Sequence, residues 1–170
     1  MTVDEFKKKV LPLQNKIFRF AKRLLNIQVE AEDITQDVFI KLWTKKEEIS
    51  NYKSVEALAM KMTRNMCLDR IKSHKRKNVE FGKDDFITTS NPYKDAEIAD
   101  SMSLMNAIIK KLPDQQKEIV QLREIEGYEF DEISEITGMN INAIRVNLSR
   151  ARQKIKQELK KAFDYGLKTN

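Results

Sequence analysis

At 170 residues the chain is long enough for one ordinary domain or two small ones. Its net charge of +6 is unevenly spread, with +7 in residues 1–80, −3 in residues 81–105 and +2 in residues 106–170. Two basic blocks around an acidic one favour a polyanionic partner, and the single cysteine, Cys67, excludes an intramolecular disulfide and a Cys-based zinc site.

Four glycines and three prolines are too few for the turns of a sheet protein. The apolar spacing is helical almost throughout, so the expected fold is all-α. Phe6, Val10, Leu13, Ile17, Phe20, Ala21 and Leu24 recur at helical steps, and Pro12 inside that pattern should bend or restart the helix. A second helix is expected at about 30–44, with Ala31, Ile34, Val38 and Leu42 on one stripe. A third is expected at about 54–73, with Val55, Leu58, Met62, Met66 and Ile71 facing inward.

Periodicity is lost from about Lys77 to Pro92, where FGKDDFITTSNPY reads as a solvated linker. Helical spacing resumes with Ile98, Met102, Met105, Ile108 and Ile109 and stops at Leu112-Pro113. The expected organisation is therefore a helical domain at 1–77, an acidic flexible linker at 78–93 and a second helical domain at 94–170.

Within the second domain, Ile119, Val120, Leu122 and Ile125 mark a helix that Gly127 is placed to end. DEISEIT follows as a short helix, Gly138 supplies a tight turn and Asn140 can cap the next helix. That last helix carries Ile144, Leu148, Ala151 and Ile155 on one face and Asn142, Arg145, Ser149 and Arg152 on another. This is the pattern of a helix-turn-helix (winged-helix-like) domain, whose second helix enters the major groove. Residues 141–161 hold seven Lys/Arg against Glu158 alone, while 124–135 hold six acids and no base. Arg150, Arg152, Lys154 and Lys156 suit phosphate contact, and residues near the helix start suit base edges. An ordinary helical hairpin with a solvated basic face would show much of the same pattern.

Three segments together resemble the extracytoplasmic-function sigma factors of the sigma-70 family: AEDITQDVFIKLW (31–43), LAMKMTRNMCLDRIKSHKR (58–76) and the stretch from LPDQQKEIV to ARQKIK (112–156). The likeness covers nearly the whole chain. It implies an alternative sigma factor that directs RNA polymerase to promoters and is not itself an enzyme. The first segment would dock on the clamp helices of the polymerase's largest subunit through Asp33, Gln36, Asp37, Phe39 and Trp43. Promoter DNA at the −10 element would meet Ile49, Asn51 and Tyr52 in a base-capturing loop, and Lys61, Arg64, Asn65 and Asp69 on the following helix. An unstacked base needs a side chain to lie against and amide groups to read its edge. At the −35 element the matching set is Asn142, Arg145, Val146, Ser149, Arg150, Arg152 and Lys154. There arginine can bond a guanine bidentately and Val146 can meet a thymine methyl. Glu129 stands where the family often has a Ser or Thr cap, and Ser134 where it has Ala; the first would weaken a cap. The resemblance also implies an anti-sigma factor as a partner.

No cofactor is expected. His74 has no Cys or His companion for a metal, and Cys67 reads as a filler on a helix face. Asp84 and Asp85 alone are weak evidence for a cation site. No phosphate-binding glycine loop and no nucleophile–His set can be assembled. There is no run of about 18 apolar residues, and MTVDEFKKKV lacks the apolar centre of a signal peptide. A reducing cytoplasmic location is expected. The main competing reading is an autonomous helix-turn-helix regulator, which leaves the acidic-amide face at 31–43 unexplained.

Overall fold

The computed structural model describes residues 1–77 and 96–168, so the expected linker at 78–93, with Asp84 and Asp85, lies outside the described residues. The first unit contains α1 (Val3–Lys9), α2 (Gln14–Leu25), α3 (Gln28–Thr44), the short α4 (Lys46–Ile49) and α5 (Val55–Arg76). The second contains α6 (Ala96–Lys110), α7 (Asp114–Val120), α8 (Phe130–Thr137) and α9 (Ile141–Lys168). The described residues contain no strand, so among them the helix-turn-helix carries no β wing.

Local chemistry explains the boundaries. Thr2 caps α1 by accepting from the Glu5 backbone N–H, while the Glu5 carboxylate accepts from Thr2 N–H in return. Pro12 sits in a 3₁₀ turn, Leu11–Leu13, that separates α1 from α2, so the expected restart is present. Asn26 ends α2 in the left-handed region at φ 60°, which Asn tolerates better than most residues. Ser54 Oγ accepts from the Ala57 N–H and starts α5.

In the first unit, Ile17, Phe20, Ala21 and Leu25 of α2 meet Ala31, Ile34, Val38 and Leu42 of α3 in a dry centre. The inward face of α5 differs from expectation. Ala57, Ala59, Met60, Thr63 and Cys67 are the buried residues, while Val55, Leu58, Met62, Met66 and Ile71 are only partly covered. The reason is geometric: small side chains let α5 approach α2 and α3 closely. The larger ones flank that seam, and α5 is also packed by α8 from the second unit.

In the second unit, Ile119, Val120 and Leu122 pack with Ile133, Ile136, Ile144, Leu148 and Ala151. α7 runs on into one wider turn, in which the Glu126 N–H donates to the Gln121 carbonyl at 3.0 Å. Gly127 follows at φ 78° and Gly138 ends α8 at φ 76°, values a side chain with a Cβ rarely adopts. At Glu129 the backbone N–H is taken up by the Glu132 carboxylate at 2.8 Å. Its own carboxylate reaches Arg123 at 3.3 Å. The buried apolar residues of both units form one continuous cluster, so the two units are packed on each other.

Candidate nucleic-acid interface

The recognition-helix geometry follows from α9's buried stripe. Ile144, Leu148 and Ala151 point into the core with Ile155 partly covered, which turns Asn142, Arg145, Val146, Ser149, Arg150, Arg152 and Lys154 outward, all exposed. Asn140 Oδ1 accepts from the Ala143 N–H at 2.8 Å, the cap read in the sequence. Two arginines are held lightly. The Arg145 guanidinium lies 5.5 Å from the Phe130 ring centroid, and Arg152 Nε donates to Glu124 Oε1. Lys154 Nζ is 3.4 Å from Glu158. An exposed arginine–valine–serine edge near the helix start, followed by cations, can meet base edges first and phosphates after.

In the first unit, Lys61, Asn65 and Asp69 share one stripe of α5 at four-residue steps and are exposed. Arg64 lies beside them but is taken: its Nε donates to the Glu118 carboxylate of α7. Burial pushes the Glu118 carboxyl above the usual range even though Arg64 pulls it the other way. The loop candidates separate. Asn51 and Tyr52 are exposed in a turn after α4, where an aromatic ring can stack a base. Ile49 is corrected: it is the last residue of α4 and only 2% exposed, a core residue with no face to offer a base. The short α4, invisible to periodicity at four residues, rolls it inward.

The α3 set also divides. Asp33 and Asp37 face Arg70 of α5, at 3.5 and 3.8 Å, and Glu30 completes that group. Gln36 and Trp43 lie on a different stripe, and Phe39 is half-buried. The Trp43 ring stands edge-on to Phe6 at 5.0 Å and under Lys46 Nζ at 4.3 Å, yet remains 40% exposed. Sequence reasoning missed Val29 and Ile40, which are 71% and 62% exposed. With Gln36 and Trp43 they form a line at spacings of seven, four and three. Their position off the Ile34–Val38–Leu42 stripe was the available signal, since an apolar residue on the outer face needs a partner more than a charged one does.

Cys67 is buried, and burial pushes its thiol up to about 12, which makes it unreactive. The described residues contain no group of His, Cys, Asp and Glu able to hold a metal. No helix among them is long and apolar enough to cross a membrane.

Residues 10–77 match the family model for sigma-70 region 2, and residues 102–155 match that for sigma-70 region 4. The chain is 28% identical over 153 residues to the ECF RNA polymerase sigma factor SigE of Mycolicibacterium smegmatis, covering 86% of this chain but 58% of that one. It is 25% identical over 160 residues to the ECF RNA polymerase sigma factor SigW of Bacillus subtilis, covering 86% of this chain and 84% of that one. Its fold is similar to that of the sigma factor RpoE from Bartonella quintana, solved in complex with the anti-sigma factor NepR. The TM-score is 0.74 at 22% identity, over 93% of this chain and 98% of that one. With region 2 on α2–α5, region 4 on α6–α9 and both in sigma-70 order, the chain belongs to the sigma-70 family, in its extracytoplasmic-function group.

Proposed function

We propose that this protein is an alternative sigma factor: it binds core RNA polymerase, directs it to promoters and starts DNA-templated transcription, catalysing no reaction itself. The observation that carries this reading is the presence, in one chain, of two exposed nucleic-acid faces, one in each sigma-70 region. The α5 face with Lys61, Asn65 and Asp69, together with Arg64 once released and with Asn51 and Tyr52, suits the melted −10 element. The start of α9, with Arg145, Val146 and Ser149, suits the −35 major groove, and Arg150, Arg152 and Lys154 suit its backbone. The outer face of α3 serves polymerase docking, with Asp33, Gln36, Asp37, Phe39 and Trp43 joined by Val29 and Ile40. An apolar line beside carboxylates matches a partner surface with a greasy centre and a basic rim. The cytoplasm is the working compartment, and an anti-sigma factor is a natural regulator, as it is for the Bartonella protein.

Reconstitution with core polymerase tests the reading. The chain should co-purify with core enzyme and yield run-off transcripts from a promoter library that core enzyme alone does not yield. Sequence-specific binding to duplex DNA without polymerase, and no transcript with it, would instead establish an autonomous regulator.

A further inference from the structure

Arg70 occupies an inward position that the rest of α5 gives to uncharged side chains. Met60, Thr63 and Cys67 lie on that stripe and are buried, and three residues further on it ends in a guanidinium. A cation there needs partners, and α3 supplies three. Arg70 Nη1 donates to Glu30 Oε2 and lies 3.5 Å from Asp33 Oδ2, while Nη2 lies 3.8 Å from Asp37 Oδ2. The side chains of Arg70 and Glu30 are 24% and 27% exposed, against 65% for Asp33 and 48% for Asp37.

Glu30, Asp33 and Asp37 stand at steps of three and four on one face of α3, where like charges repel one another. Without a cation between them the carboxylates would turn apart. Glu30 is the covered anchor and takes the short bond. The two exposed aspartates meet the same guanidinium through Oδ2 alone, which leaves Oδ1 of each for a partner's cation. Both aspartates belong to the docking face of α3. Arg70 lies largely covered behind them, and it is also off the Lys61–Asn65–Asp69 stripe that α5 offers to DNA.

We propose that Arg70 is a positioning residue for polymerase docking, anchored on Glu30 and holding the Asp33 and Asp37 carboxylates side by side for cations of the polymerase. This role rests on the reading of α3 as the docking face of a sigma factor. A guanidinium suits it, because a planar fork offers N–H groups in several directions at once and a flexible ammonium does not. Side chains fixed before the encounter need not be ordered during it, so less affinity is lost on binding. Charge alone predicts the reverse, since deleting a cation beside a carboxylate face should strengthen attraction to a basic partner. The two effects therefore differ in sign.

The test is the affinity of full-length chain for immobilised core polymerase, measured by biolayer interferometry without DNA. Arg70→Gln should weaken binding about fivefold, the lower end for losing order in two side chains. Asp33→Asn with Asp37→Asn should weaken it by about tenfold or more. Adding Arg70→Gln to that pair should cost less than about twofold further, because the carboxylates it acts through are gone. Circular dichroism checks folding at the assay temperature. Should Arg70→Gln melt below it, Arg70→Lys takes its place in the same comparison; it keeps the charge without the fork and should lose about threefold. Unchanged or tighter binding by the Arg70 variant overturns the positioning role. So does an equal loss with and without the aspartates, which is what a general loosening of α3 against α5 would give. Wild-type affinity for Asp33→Asn with Asp37→Asn would remove these carboxylates from the docking face, and the role of Arg70 with them. A wild-type holoenzyme that makes no promoter-dependent transcript would sink the sigma reading itself.

Discussion

Replacing Arg145 and Lys154 by alanine, one at a time, separates a reader of bases from a holder of backbone on α9. Arg145 lies in the second turn of the helix and is exposed, with its guanidinium 5.5 Å from the Phe130 ring centroid. Lys154 lies about 13–14 Å further along the axis at 1.5 Å per residue, beside Glu158 at 3.4 Å. A major groove about 12 Å wide holds the first turns of a recognition helix, so Lys154 has passed the base edges. Arg145→Ala should cost about 1–3 kcal/mol at one base pair and relax preference there. Leaving Phe130 forfeits about 0.5–1 kcal/mol of cation–π attraction in the wild type, which places the net loss in the lower half of that range. Lys154→Ala should weaken all promoters alike and reduce the salt slope by about one. Neither change touches the Ile144–Leu148–Ala151 stripe, so the fold is spared. The assay is competitive transcription by holoenzyme on a set of −35 variants at several salt concentrations. A uniform loss for Arg145→Ala together with altered base preference for Lys154→Ala would show that the helix lies the other way in the groove.

Three further outcomes follow from the geometry. Gln36→Ala with Asp37→Lys should lower affinity for core polymerase by about 2 kcal/mol or more with unchanged circular dichroism, because both sites are exposed and off the buried stripe; wild-type affinity would remove α3 from the docking surface. Asn140→Ala deletes the acceptor of the Ala143 N–H and should cost about 1 kcal/mol in denaturant unfolding, whereas an unchanged midpoint would mean the cap contributes nothing. The Cys67 thiol, raised by burial from an ordinary value of 9.0 to about 12, favours folding fully below about 9, a contribution lost as the pH climbs towards 12. A disulfide reagent at pH 8 should therefore react slowly with the native chain and at once in urea, and fast native labelling would contradict that burial.

The helices, their caps and the α9 face were legible because each rests on local pattern. Ile144, Leu148 and Ala151 repeat at helical steps, Asn140 precedes them, and Gly138 stands where φ must be positive. The inward face of α5 was misjudged because apolar size was taken as the guide. Ala57, Ala59 and Cys67 are buried for being small, at a close approach that only the three-dimensional packing reveals. Ile49 was misplaced for a related reason: a four-residue helix leaves no periodic trace, and the chain's return to the core there is set by α3 and α5. The exposed Ile40 was within reach of sequence reasoning, since it breaks the polar pattern of α3's outer face.

The docking of the two units could not be read because its chemistry mimics ordinary surface. Arg19, Arg23, Glu118 and Glu126 are the residues a sequence assigns to solvent, and no periodicity tells which of them meets a partner 54 to 107 positions away. The seam is mixed, since these polar contacts accompany an apolar cluster shared by both units. The apolar part of the seam contributes at about 25 cal/mol per Å² buried. Charged pairs instead trade contacts with water at small net gain. Residues 78–95 tie the two units covalently, which raises their effective mutual concentration to the millimolar range or so. Contacts too weak to join separate proteins therefore suffice to close one chain.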